Sequence, residues 1–153
     1  MASTTFSGPV TSTNGFIGNI TGNLTGNIAG TAEITHATTA AINATATATA
    51  AEVATGYITS TSAAATAITL PTGTLLGAAL GAVRGTVFDL YVDNTAGAST
   101  VTMAVAVNGI LSSGAADTPG SFGDLTIAAG ATGIARYTLM FASATAYVFT
   151  RTA

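Results

Sequence analysis

The chain has no cysteine, no tryptophan and no lysine, and only 6% of its 153 residues are charged. Each absence removes a class of function. Without cysteine there is neither a disulfide framework nor a thiolate metal site. Without lysine, and with Arg84, Arg136 and Arg151 scattered singly, no cluster of cations can neutralise phosphates, and the formal charge of −3 likewise excludes a nucleic-acid partner. Long apolar runs are missing too. The richest window, Leu75 to Val83, is interrupted by Gly77 and Gly81 and falls well short of the roughly 20 residues of a membrane-spanning helix. The N-terminus, Met1-Ala2-Ser3-Thr4-Thr5-Phe6, lacks the positive region and apolar core of a secretory signal. Assembly in a cytoplasm, without a membrane partner, is therefore expected.

Residues able to carry out chemistry are equally sparse. His36 is the single histidine, with no second histidine or cysteine to share a metal. No nucleophile elbow, phosphate-binding loop or zinc-protease motif occurs. Asp89 and Asp93 share one strand face by their even spacing, a pattern that could serve acid–base chemistry or Ca²⁺. The simpler reading has Asp93-Asn94 opening a turn by binding backbone amides while Asp89 faces solvent. Neither an enzyme nor a bound cofactor is expected.

What the chain does have is alanine (33), threonine (31) and glycine (18), ordered in a two-residue rhythm. From Phe16 to Ala50 the even positions read Phe16, Gly18, Ile20, Gly22, Leu24, Gly26, Ile28, Gly30, Ala32, Ile34, His36, Thr38, Ala40, Ile42 and then alanines to Ala50, almost all apolar or bare. Most odd positions carry Asn or Thr. That is the alternation of an extended chain with one sheltered side. Within it lies a tetrapeptide repeat, Gly18-Asn19-Ile20-Thr21, Gly22-Asn23-Leu24-Thr25, Gly26-Asn27-Ile28-Ala29, Gly30-Thr31-Ala32-Glu33. Its large apolar side chains recur about 13 Å apart along a strand, and its glycines admit close backbone neighbours. A lone strand has nothing to bury this row against. Three strands around one axis would shelter it in layers; a two-fold pairing or a chain coiled on itself would also do so. The residues expected at a trimer interface are Phe16, Ile20, Leu24, Ile28, Ile34, His36 and Ile42. For Ala37 to Ala54, alternating threonine favours an extended chain over an alanine helix.

Beyond residue 53 the pattern changes to short strands separated by turn signals, among them Pro71-Thr72-Gly73, Asn94-Thr95-Ala96-Gly97 and Asn108-Gly109. Strands are expected at 57–60, 65–70, 86–93, 99–107, 122–127, 133–142 and 145–151, with one helix at 74–83. The fold class expected is all-β: an extended, intertwined N-terminal β-stalk followed by a small antiparallel β-sandwich or jelly-roll-like domain with one short helix. The boundaries expected are an arm at 1–15, a trimerisation segment at 16–52 and the β domain at 53–153.

The stretch Gly18-Asn-Ile-Thr-Gly-Asn-Leu-Thr-Gly-Asn-Ile-Ala-Gly30 resembles segments common in fibre and decoration proteins of tailed bacteriophages. A second stretch, Leu70-Pro-Thr-Gly followed by the Leu/Ala helix, Gly85-Thr-Val-Phe-Asp-Leu-Tyr-Val-Asp-Asn-Thr-Ala-Gly-Ala-Ser-Thr-Val-Thr102 and Thr126-Ile-Ala-Ala-Gly-Ala-Thr-Gly133, is similar to a small β domain of phage virions. The resemblance implies a homotrimeric structural protein on the outer capsid surface. It would act as a decoration, or cement, protein bound between major capsid subunits, with Phe6, Pro9 and Val10 of the arm touching the capsid. The alternative it implies is a tail fibre or receptor-binding accessory protein recognising the host surface.

Overall fold

The computed structural model describes residues 36, 38–111 and 125–152, all inside one compact unit, Thr35–Ala153. Phe6, Pro9, Val10, Phe16, Ile20, Leu24, Ile28 and Ile34, with the arm and the repeat, lie outside the described residues, as do Asp117, Phe122 and Asp124.

The unit is mainly β. In chain order its elements are β1 (Ala40–Ala41), β2 (Ala46–Thr47), α1 (Ala50–Ala54), β3 (Tyr57–Thr59), β4 (Thr66–Thr69), α2 (Gly73–Leu80), β5 (Val87–Asp93), β6 (Val101–Ala104), β7 (Gly109–Leu111), β8 (Thr126–Ile127), β9 (Ile134–Ser143) and β10 (Ala146–Arg151). They form a six-stranded sheet in the order β1-β3-β5-β9-β10-β7 and a four-stranded sheet in the order β2-β4-β6-β8.

Odd and even strands separate in the first half of the chain. β1, β3 and β5 enter the larger sheet while β2, β4 and β6 enter the smaller one. The chain thus crosses from sheet to sheet and returns, laying each pass beside the last. Ala40, Ile58 and Val92 stand side by side in one sheet, and Ala46, Ile68 and Met103 in the other. All four of these pairings are parallel, as is β7 with β10. Antiparallel pairing, expected throughout, is confined to β5–β9, β9–β10 and β6–β8. The reason is geometric. A Gly- or Asn-rich turn specifies that the chain changes direction, not that the next strand joins the same sheet. Asn94 to Gly97 and Asn108-Gly109 serve crossings between sheets, and neither turn makes a hairpin.

The stretch 38–54 also departs from the expectation. It is not one extended run, and the compact unit begins at Thr35 rather than at residue 53. Residues 40–41 and 46–47 are short strands paired to this unit's own β3 and β4, and Ala50–Ala54 is helical. A capping box overrides the threonine rhythm at that point: the Thr49 hydroxyl accepts from the Glu52 amide at 3.2 Å, and the Thr49 amide donates to the Glu52 carboxylate at 2.7 Å. Two amides at the start of the helix are satisfied reciprocally, and alanine then propagates the turn.

One apolar cluster draws on both sheets: Ile58, Leu90, Val92, Tyr137, Leu139, Phe141, Tyr147 and Phe149 from the larger, Ile68, Val101, Met103 and Ile127 from the smaller. Tyr137 and Phe149 stack with ring centroids 4.7 Å apart. Tyr147 is fully buried, its phenol donates to the Pro71 carbonyl at 3.0 Å, and burial pushes its pKa up to about 12.

Helix α2 is capped by the Thr72 hydroxyl, which accepts from the Leu75 amide, and is closed by Gly81 in the left-handed conformation at φ 59°. It sits against the β9–β10 turn so closely that a methyl group at Gly77 would overlap the Ala144 carbonyl oxygen, and one at Gly73 the Thr145 carbonyl. In an open helix, Gly→Ala gains roughly 1 kcal/mol. Here Gly77→Ala is expected to reverse that sign and cost about 1–3 kcal/mol by overpacking, read as a lower urea midpoint. Ala substitution of a solvent-facing threonine on the same helix, Thr74, is the control and is expected to be neutral or stabilising.

Candidate functional site

The outer face of the six-stranded sheet gathers His36, Asp89, Asp93 and Arg136, all singled out in the sequence, together with Tyr57 and Tyr91. Alternation within β5 sends Leu90 and Val92 inward and leaves Val87, Asp89, Tyr91 and Asp93 outside; in β9 it leaves Ile134, Arg136, Thr138 and Met140 outside. Register assembles these into rows across the strands. One row is Tyr57–Tyr91–Arg136, the next Asp89–Thr138–Thr150, the next Val87–Met140–Val148–Ile110.

Asp89 and Asp93 do share this face, but each is engaged by different partners. Asp89 accepts from Arg136 Nη2 at 2.6 Å and from the Thr138 hydroxyl at 2.7 Å. Asp93 accepts from the Thr95 hydroxyl at 2.6 Å, the Thr95 amide at 2.9 Å and the Tyr57 phenol at 3.0 Å. Asp93 therefore opens the turn after β5 in the manner its sequence suggests. For Asp89, partial burial pulls the pKa upward, and the Thr138 and Arg136 bonds outweigh it to leave a net lowering. For Asp93, the Thr95 hydroxyl bond leads in lowering the pKa against a smaller effect of burial. Both are carboxylates at neutral pH with no proton to donate. Among the described residues no group of three or more His, Cys, Asp or Glu is placed to hold a metal ion.

His36 lies half-buried on the same face. Its Nδ1 is 2.9 Å from the Thr55 carbonyl, which makes that nitrogen the donor. Its ring centroid is 5.8 Å from Tyr57 and 5.6 Å from Tyr91. Beneath it, Gly56 has φ +74°, and any side chain there would strike the imidazole, so two independent constraints fix glycine at this point. Ile42, the other residue expected at a trimer interface that is described, is 6% exposed and belongs to the core of its own chain. Tyr91, Ile134, Ala135 and Arg136 line a shallow cavity of about 280 Å³. It is largely apolar, with the Arg136 cation at its rim.

Sequence reasoning missed the residue that holds one end of the unit together. Asn94 is fully buried. Its amide nitrogen donates to the carbonyls of Ser99 at 2.9 Å and Ala128 at 3.0 Å, with that of Ile127 at 3.3 Å. Its backbone N–H donates to Gly133, and its carbonyl accepts from Gly97 and Gly130. One side chain thereby ties the end of β5 to the crossing loop before β6 and to the connection between β8 and β9. The Asn-Thr-Ala-Gly turn signal located the position; nothing in one sequence showed that the side chain points inward.

Two outcomes follow. Asn94→Asp turns the donor group toward three carbonyls as a carboxylate and is expected to cost about 3 kcal/mol or more, whereas Asn94→Ala leaves the carbonyls unsatisfied for about 1–3 kcal/mol; urea midpoints rank the two. Acid should also weaken the fold. Asp89 and Asp93 have folded pKa values below their unfolded ones, so their stabilisation is complete above the ordinary carboxylate value of about 3.9 and is lost as pH falls through the lowered folded values. Denaturation midpoints are expected to drop between pH 5 and pH 2, on the order of the window these groups define, and Asp89→Asn should flatten part of that slope.

Comparison with protein families, with curated proteins and with solved structures gave no match for this chain.

Proposed function

We propose that this chain is a structural virion protein, a homotrimeric capsid decoration protein that binds between major capsid subunits and stabilises the head. The single observation that carries the reading is the repeat at residues 18–33, with Ile20, Leu24 and Ile28 in fixed four-residue steps and bare glycine between. Such a row needs neighbouring strands to bury against, and sister copies would supply them. In this reading the N-terminal segment is an intertwined stalk, and the two sheets around their shared core form a sandwich-like body displayed on the outer capsid surface. The arm, with Phe6, Pro9 and Val10, reaches the neighbouring capsid subunits.

The face described above supports a binding role in kind. Its carboxylates are tied up in a turn and an ion pair, and its cavity is shallow and apolar. A contact protein needs no more. The stabilising mechanism is mass action: a ligand that binds only the assembled shell raises its stability by RT ln(1 + [L]/Kd). Three linked contact points add avidity, because the second and third engage at an effective concentration set by the tether.

Native mass measurement is expected to give three times the 14.8 kDa chain mass. Purified protein should bind expanded capsids and raise the temperature at which they open. A folded monomer, or a trimer without affinity for capsids, would overturn the reading; affinity for host surface glycans in place of capsids would select the receptor-binding alternative.

A further inference from the structure

We propose that the outer row Val87–Met140–Val148–Ile110 is the surface through which the β units of sister copies meet. The inference rests on the homotrimer reading and deepens it. Register makes the row continuous: Val87 pairs with Met140, Met140 with Val148 and Val148 with Ile110, across β5, β9, β10 and β7. Val87 is 61% exposed, Met140 46% and Ile110 53%, and Val148 is half-buried. A sheet with one face on the core normally presents polar residues on the other. The adjacent row, Asp89–Thr138–Thr150, obeys that rule and this one breaks it. The break adds nothing to the core, since all four side chains point away from it. The row also carries no charge, as the centre of a protein–protein contact requires, and its methionine adapts to an irregular partner surface.

The size of the row identifies the occupant. Four side chains across four strands make a patch of a few hundred Å², short of the roughly 800 Å² per partner that a free-standing complex buries. A separate partner protein would not be held by it. A sister copy already joined to this one would be, since tethering replaces bulk concentration by an effective concentration on the order of millimolar. The place where the chain runs into the unit agrees. His36 is seated on Tyr57 and Tyr91, on the same outer face as the row.

The chain has no cysteine, so Met140→Cys places one thiol per copy at an exposed position. In the full chain a short bis-maleimide is expected to link two copies through this site, read as a covalent dimer under denaturing conditions. Ala79→Cys on the exposed side of α2 should take up the reagent without joining copies and serves as control. A native mass of three copies in which Met140→Cys, like the Ala79→Cys control, takes up the reagent without forming a covalent dimer would overturn this contact and leave the trimer standing. A monomer would remove both. A thiol free in the isolated trimer and protected only on capsids would assign the row to the capsid, against this inference. Met140→Asp, which adds a charge at an outward position, gives a second reading: a trimer of unchanged mass whose β units melt at a lower temperature is expected, and an unchanged melting temperature would count against the contact.

Discussion

The parallel ladders through Ala40–Ile58–Val92 and Ala46–Ile68–Met103 are what the rest of the unit depends on. This chain is rich in alanine and threonine, and such side chains bury little area each. Backbone pairing compensates, because each pass satisfies its amides and carbonyls on the pass before it and needs only small side chains to lie close. Large residues are then concentrated where the ladders end, in β9 and β10, which bring Tyr137, Leu139, Phe141, Tyr147 and Phe149 into the shared core. The corners carry the remaining burden. Asn94 binds three carbonyls at one of them, and Thr49 with Glu52 starts a helix at another.

Much of this is legible in the sequence, and what is not has a common cause. The strands at 57–60, 65–70, 86–93, 133–142 and 145–151 lie within a residue or two of β3, β4, β5, β9 and β10, because alternation and turn residues act locally. Helix α2 is likewise visible from the spacing of Leu75, Leu76, Ala79, Leu80 and Val83. Partnership is not visible. Whether Asp93-Asn94 leads into a hairpin or a crossing depends on which sheet has room for the next strand, and that is decided by residues far away in sequence. The stretch 38–54 shows the same limit: its alternation reads as extended, yet a reciprocal pair of hydrogen bonds between Thr49 and Glu52 suffices to turn five residues into a helix. At the site, the shared face of Asp89 and Asp93 follows from their even spacing, whereas their capture by Arg136, Thr138 and Thr95 depends on the register with β9 and on a local turn. The outward apolar row has a faint signal in Val87 and Met140, which sit at positions where the rhythm of their strands asks for a polar residue.

These features together favour a protein whose work is contact. The carboxylates among the described residues are committed to ion-pair, turn and helix-cap geometry, and the described aromatic residues are divided between the core and a histidine-capped pair on the outer face. The proposed trimer and capsid role use the same economy as the fold, in which weak, uncharged elements become effective through repetition and tethering.

The close seating of α2 on the β9–β10 turn has a consequence for motion. With Gly73 and Gly77 set directly against the carbonyls of Thr145 and Ala144, a helix that lifted would uncover backbone on both sides of the contact at once. The two are therefore expected to open together as one cooperative unit. Amide protons of α2 and of the strand ends flanking residues 144–145 would exchange on a common timescale, and a disturbance felt at either would be transmitted to the other as a block.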